Sequence, residues 1–306
     1  MGIMAEKAIR HPPGQRLAHT GFPVLVVLAF VLAVWYAAAW GMNATGAIER
    51  VLNNVEPAGA WTAVDLFKTT MQMDRLLLPA PHQVALDLWS SLFDWPLDSP
   101  RNLLFHAYIT AQSTLAGFVM GTALGLLLSV LIVHSRTLDR ALLPWIVASQ
   151  TVPVLAIAPI VLIILGTLGF SGIALKATIA MYLCFFPVTV AMVQGLRSPQ
   201  VIETEMMHTY AASRWQALWF LRVPAALPFL FPALRVGVAA GLVGAMVAEL
   251  PTGAEAGLGA RLLTGSYYGN TVQIWSALVV SALLGLLLTA AVTVVERRVL
   301  QSRGGL

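Results

Sequence analysis

Glu205-Met-Met-His-Thr-Tyr-Ala-Ala-Ser-Arg-Trp-Gln-Ala-Leu-Trp-Phe-Leu-Arg-Val-Pro-Ala-Ala-Leu-Pro228 is a polar, charged stretch set between long apolar runs. Capping chemistry alone divides it. Ser198 is a good N-cap, Pro199 suits the first helical position, and Glu203 and Glu205 follow. A second start falls at Ser213, whose partner three residues on, Gln216, completes a capping box. The first helix must therefore stop and turn around Ala211. Pro224 and Pro228 lack backbone donors and push Val223 and Leu227 toward extended geometry, which predicts the end of the second helix there. Trp215, Leu218 and Trp219 fall on one face of that helix. Two readings follow: a connecting loop whose tryptophans rest on a bilayer, or a docking element. Connections longer than about 15 residues are uncommon in compact bundles unless they have a role, so the span 196–228 favours docking.

The flanking runs explain why such an element would stand apart. Of the 306 residues 58% are hydrophobic and only 10% charged, with a mean hydropathy of +0.79. A soluble domain carries about 25% charged residues, so much of the surface must face lipid. Apolar runs near the roughly 20 residues needed to cross a bilayer occur at 21–41, 107–133, 141–165, 173–193, 229–250 and 271–295. This predicts an all-α integral membrane protein with six transmembrane helices. The expected order is a tail over 1–20, the first span 21–41, an extracytoplasmic segment 42–106, a five-helix core 107–295 with the hairpin 196–228, and a tail 296–306. The first run exceeds a signal-peptide core and lacks a convincing cleavage site, so it reads as a retained anchor.

Placing the N-terminus in the cytosol puts Lys7, Arg10, Arg16, Arg136, Arg140, Arg197, Arg214, Arg222, Arg297, Arg298 and Arg303 inside, 11 of the 18 Lys and Arg. The short loops thus favour N-in and C-in. The net charge of +4 sits at membrane edges, not in a groove-facing patch, so no nucleic-acid partner is expected. Outside, Val84, Leu88, Leu92 and Ala85, Trp89, Phe93 recur at helical spacing, predicting an amphipathic helix over 82–93 along the interface, with Trp89 and Trp95 in the aromatic belt. Residues 45–73 show no strong pattern.

Within the spans, Gly117, Gly121 and Gly125 put small residues on one helix face for close packing, with a partner in the same chain or across a dimer. Pro153 and Pro159 each remove a backbone hydrogen bond and predict a bend in the third span. With Ser149, Gln150 and Thr151 nearby, the two readings are a polar break lining a solute path and a kinked packing helix. Thr189, Gln194 and Glu249 are further path candidates. Glu249 reads as an interfacial acid, solvated or gating, and Arg235 as a structural residue that snorkels. Lys176 interrupts the fourth span near one end. Cys184 is the single cysteine, a small buried hydrophobe that excludes an internal disulfide. His82, His106, His134 and His208 are scattered and read as interfacial or capping side chains. The sequence holds no Gly-x-x-x-x-Gly-Lys-Ser/Thr phosphate loop, no paired His/Cys metal ligands and no nucleophile constellation. Catalytic and metal sites are accordingly not expected.

From Ala211-Ala-Ser-Arg-Trp-Gln through Pro224-Ala-Ala-Leu-Pro228 to Gly237 the chain resembles the EAA loop of ABC-importer permeases, closest to the nitrate/sulfonate/taurine branch. The likeness begins at Leu78-Pro-Ala-Pro81. It takes in Gly117–Gly125, Val152–Pro159, Ala248-Glu-Leu250 with Gly257-Leu-Gly259, and Val295-Glu-Arg-Arg298. Two departures stand out: Glu205-Met206-Met207 replaces Glu-Ala-Ala, and Ala211 replaces the family's turn glycine. The resemblance implies a bacterial inner-membrane permease subunit that delivers no ATP chemistry itself. Two cytosolic ATPase subunits would hold ATP and Mg, a second permease copy would complete a homodimer, and an extracytoplasmic binding protein would supply solute. On this chain Glu205, Met206, Met207, Ala211, Ala212, Ser213, Arg214, Trp215, Pro224 and Pro228 would form the ATPase-coupling surface. An ion-coupled secondary transporter is the competing class. It requires ionisable residues at mid-bilayer, and the span centres have almost none.

Overall fold

A computed structural model describes residues 13–50, 52, 61–73, 76–251 and 256–301. Lys7, Arg10 and Arg303 of the orientation argument lie outside the described residues, as do the ends of both tails. The described residues form helices: α1 (Pro13–Arg50), α2 (Ala63–Gln72), α3 (Pro81–Phe93), α4 (Leu103–His134), α5 (Arg136–Ser149), α6 (Val154–Thr167), α7 (Ile173–Leu196), α8 (Val201–Thr209), α9 (Arg214–Ala217), α10 (Val223–Glu249), α11 (Leu258–Tyr268) and α12 (Thr271–Gln301). Among the described residues five helical spans are long and apolar enough to cross a membrane, and the bent pair α5–α6 brings the number to six if counted as one.

The chain divides into two units, Met1–Asp87 with Gly269–Val272, and the remainder. In the first, α1 is longer than the run 21–41 that was expected to end it. The helix continues to Arg50, because the residues after Trp40 (Gly-Met-Asn-Ala-Thr-Gly-Ala-Ile) include no proline to stop it. Asn43 on this extension holds the segment leading to α3. Its Nδ2 donates to the Leu78 carbonyl at 2.7 Å, and its Oδ1 accepts from the Leu77 amide at 2.7 Å. Trp35 Nε1 donates to the Pro79 carbonyl at 3.0 Å, and Tyr36 stacks on His82. The Leu-Pro-Ala-Pro sequence is thus a strapped turn, with Pro81 at the first position of α3. The patternless 45–73 contains the end of α1 and all of α2, which Thr62 and Asp65 open with a capping box.

The second unit is organised around α7, flanked by α4 and α10. Small residues make the close approach. A Cβ on Gly117 would lie 2.4 Å from Ala180 Cβ, one on Gly121 2.8 Å from Cys184 Cβ, and one on Gly125 2.9 Å from the Phe185 carbonyl oxygen. The partner of the glycine face is therefore α7 of the same chain. From the other side, Gly244 of α10 sits against Ala180, where a Cβ would come 2.9 Å from its Cα. Cys184, Val188, Met192 and Leu196 fill the core between these helices. At one end of α4, Leu103, Leu258, Ala277 and Val280 make a second cluster joining α11 and α12. Arg235 of α10 pairs with Glu296 of α12 at 3.4 Å.

The third predicted span, 141–165, is not one helix. α5 and α6 meet at a 105° bend. Pro153 has no N–H to continue the ladder and holds Val152 out of helical geometry. The freed carbonyl of Ser149 accepts a hydrogen bond from Tyr182 Oη. By contrast Pro159 lies inside α6 without ending it. The expected tail from residue 296 is also helical, as α12 runs to Gln301.

Candidate functional site

The hairpin begins later than Ser198. The Ser198 hydroxyl turns back to the Gly195 carbonyl at 2.8 Å, and α8 opens instead at Gln200, whose amide donates to Glu203 Oε2 at 2.8 Å. At its other end the Ala212 amide donates to the Met207 carbonyl at 3.0 Å and the Ala211 amide to the His208 carbonyl at 2.9 Å. This pair of bonds is a Schellman motif with Ala211 at C′. Ala211 has φ +51°, the sole positive φ at a non-glycine among the described residues. The left-handed geometry that favours glycine is retained although the residue is alanine. Ala211→Gly is therefore expected to stabilise the hairpin by about 1 kcal/mol, seen as slower amide hydrogen exchange across 201–217 with transport function preserved.

Ser213 then opens the second helix as its sequence predicts, its hydroxyl accepting from the Gln216 amide at 3.2 Å and Gln216 Oε1 accepting from the Ser213 amide at 2.7 Å. The expected ending at Pro224 and Pro228 does not occur. Arg214–Glu249 is one uninterrupted helical rod of 36 residues, with a π turn over Leu218–Arg222. The reason is local. Pro224 cannot donate to the Phe220 carbonyl and its ring would crowd it, and the wider π turn before it, with the Val223 amide bonded to Leu218 O, relieves that clash. Pro228 and Pro232 follow inside α10, where both missing donors are tolerated.

The buried face of the rod is Leu218, packed in the core cluster with Met192 and Leu196 of α7 and Ala226 of α10. Gly195 allows this, since a Cβ there would lie 2.9 Å from Ala226 Cα. Trp215 and Trp219, expected on the same face as Leu218, point away from that core and are exposed. Trp215 rests against the His134 ring at 5.0 Å. Glu205, Met206, Ala211, Ser213 and Arg214 are also exposed, whereas Met207 and Ala212 are half-buried between the two helices. The hairpin thus offers a surface on one side and is locked into α7 and α10 on the other.

The path candidates separate. Gln150, Thr151 and Pro153 are exposed at the α5–α6 bend, and Ser149 is half-buried there. The Ser149 and Thr151 hydroxyls donate to carbonyls three residues back, Ile146 O and Ala148 O. Gln194 is exposed near the end of α7. Thr189 does not face an opening: it is fully buried, and its hydroxyl donates to the Phe185 carbonyl at 2.8 Å.

Glu249 departs furthest from its sequence reading. It is not a solvated interfacial acid but is 0% exposed at the end of α10. Thr110 Oγ1 donates to its carboxylate at 2.9 Å, the Gly259 amide at 2.8 Å, and Lys176 Nζ approaches at 3.5 Å while donating to the Ala256 carbonyl at 2.8 Å. Thr110 in turn accepts from the Leu258 amide, and His106 Nδ1 accepts from the Gly257 amide at 3.0 Å. His106, read as interfacial, is thus buried in the same network. Gly257 and Gly259 are required here. Gly257 has φ +137°, and a Cβ on it would lie 2.2 Å from Glu249 Cδ. The Gly-Leu-Gly segment is a backbone strap over a carboxylate, clasping α4, α7, α10 and α11 together. The sequence offered one clue: Lys176 and Glu249 are ionisable residues that each lie near an end of an apolar run, at the start of α7 and the end of α10. Beside Lys176 lies a cavity of about 830 Å³ walled by Gln112, Leu162, Phe170 and Pro251.

Residues 117–301 match the family model for the binding-protein-dependent transport system inner membrane component. The chain is 33% identical over 221 residues to the riboflavin transport system permease protein of Chloroflexus aurantiacus, covering 72% of this chain and 78% of the relative. It is 34% identical over 232 residues to the formylaminopyrimidine transport permease protein of Halalkalibacterium halodurans, covering 74% and 86%. The taurine transport system permease protein of Escherichia coli is 31% identical over 187 residues, covering 61% and 63%.

Proposed function

Because this chain belongs to the binding-protein-dependent transport system inner membrane components, multi-pass permease subunits of ABC importers that leave ATP hydrolysis to a partner, we propose that its hairpin is the surface through which that ATPase drives it. Two cytosolic ATPase subunits carrying ATP and Mg would each receive one hairpin, and a second copy of this chain would complete the translocation path. The N-terminus and hairpin would lie in the cytosol, the side that the arginine distribution favours. Solute released by the extracytoplasmic binding protein would enter between the two permeases. The solute belongs to the small-molecule class that the relatives' names span, among them riboflavin, a formylaminopyrimidine and taurine.

The observation that carries this reading is the unbroken helix from Arg214 to Glu249. A hairpin joined to its span by a flexible loop would absorb displacement. This one is capped at Ser213, buried at Leu218 and continuous into α10, so a push on the turn becomes a tilt of the span. Bundles with two packed arrangements respond to such a bias by population shift. Solvent-facing Glu205, Ser213, Arg214 and Trp215 would meet the ATPase, and Pro224 and Pro228, with the π turn before them, would set the angle at which the lever joins the membrane. Among the path candidates, Gln150 and Thr151 at the α5–α6 bend retain exposed polar groups.

Reversing the charge at the contact tests the docking surface. Glu205→Lys is expected to lower the amount of ATPase that copurifies, with the permease itself folding normally because Glu205 is exposed. Undiminished complex and unchanged ATP hydrolysis would remove Glu205 from the contact.

A further inference from the structure

We propose that the cleft between the α4–α5 junction and the hairpin binds a phosphate-bearing anion, supplied by the headgroup of an anionic phospholipid. The cleft is about 710 Å³ and draws its walls from three places in the chain. His134 and Arg136 come from the junction, His208 from α8, and Arg214 and Arg222 from the rod. Arg136 and Arg214 are exposed, and Arg222 is half-buried.

The charge accounting is one-sided. Among the described residues no carboxylate lines the cleft. Asp139, one turn beyond Arg136, is paired with Arg197 at 2.8 Å, and Glu203 caps the Gln200 amide at 2.8 Å. Among the described residues none of the three arginines makes an ion pair with a carboxylate. Three guanidinium groups converging on one concavity raise its positive potential, and a concave, partly apolar wall focuses it. An anion with several acceptor oxygens relieves that repulsion, and guanidinium forks match phosphate bidentately.

The neighbouring side chains indicate where the anion comes from. Trp219 and Phe220, outside the proposed ATPase contact, lie on the same rod and are 61% and 74% exposed. Large exposed aromatics beside a basic cleft are the signature of headgroup depth. Basic pockets between spans on the cytoplasmic side select anionic lipids. The sidedness rests on the permease reading above. Arg214 stands in both the cleft and the proposed ATPase contact, so the anion site is tested through Arg136 and Arg222, which lie outside that contact.

The test is native mass spectrometry of the purified complex from phosphatidylcholine nanodiscs with and without phosphatidylglycerol. The parent is expected to retain phosphatidylglycerol. Arg136→Gln/Arg222→Gln, neither residue belonging to the proposed ATPase contact, should reduce retention about tenfold or more. Arg136→Lys/Arg222→Lys keeps the charge and loses the fork, so its retention should fall between the two. It also serves as the readout if the Gln variant does not fold. Inorganic phosphate that binds with the same arginine dependence while phosphatidylglycerol does not would keep the anion site and move its source to solution. Retention unchanged in both variants, with no effect of phosphate, overturns the proposal. So does loss of ATPase in the variants with lipid retention intact, which would make the cleft a protein contact. Failure of the parent to copurify with any ATPase would instead count against the permease reading, and lipid retention is scored separately from it.

Discussion

Glu249→Ala is expected to lower the stability of the detergent-purified protein by about 3–5 kcal/mol, because it strands a buried Lys176 without its counter-ion. The same change leaves Thr110 Oγ1 and the Gly259 amide without the acceptor they share, and each unmet buried group costs about 1–3 kcal/mol. These terms overlap and do not add. The consequence should be local before it is global: hydrogen exchange should rise first at 256–262, where the strap loses its anchor. Glu249→Gln is the informative companion. It keeps an acceptor for Thr110 and Gly259 and removes the charge, so combining it with Lys176→Met should recover much of the loss that Glu249→Gln alone produces. A melting temperature for Glu249→Ala indistinguishable from the parent would show that the clasp carries no stability.

Gly117→Val should be as damaging, by a different mechanism. Its Cβ alone would lie 2.4 Å from Ala180 Cβ and 2.6 Å from the Ala177 carbonyl oxygen, both on α7. Neither neighbour can swing aside, since one is a backbone atom and the other a methyl fixed to it. Helices α4 and α7 must separate, and forced overpacking of this kind costs about 3 kcal/mol or more. Separation would also open the core at Cys184 and Val188, which α4 and α10 both cover. Gly166→Ala is the control, as a Cβ there meets nothing within 4 Å. Comparable melting temperatures for the two variants would contradict the packing described.

Much of this was legible in the sequence. Ser213 and Gln216 announced their capping box, Ala211 its turn, and Gly117, Gly121 and Gly125 their close-packed face, because each signal is local and needs no knowledge of the partner. What failed was equally physical. Pro224 was read as a helix breaker, but a π turn one residue earlier absorbs its clash, and nothing in the residue types marks where that extra residue goes. Pro153 was read as a kink in one span, whereas the structure turns by 105° there. Thr110 and Glu249 hydrogen-bond across 139 positions, and His106 joins the same network. Only the fold brings them together, so an acid at a span end read as solvated.

The proposed coupling requires a hairpin that moves as one body with α10. Electron–electron resonance distances on the ATPase-bound complex test this directly, with nitroxides at Tyr210 and Val236 and, in a second pair, at Tyr210 and Val295. All three positions are exposed. On trapping the ATPase with ATP and vanadate, the Tyr210–Val236 distance should stay unchanged while Tyr210–Val295 shifts. A changed Tyr210–Val236 distance with Tyr210–Val295 fixed would mean that the rod bends at its π turn and that no lever reaches the membrane.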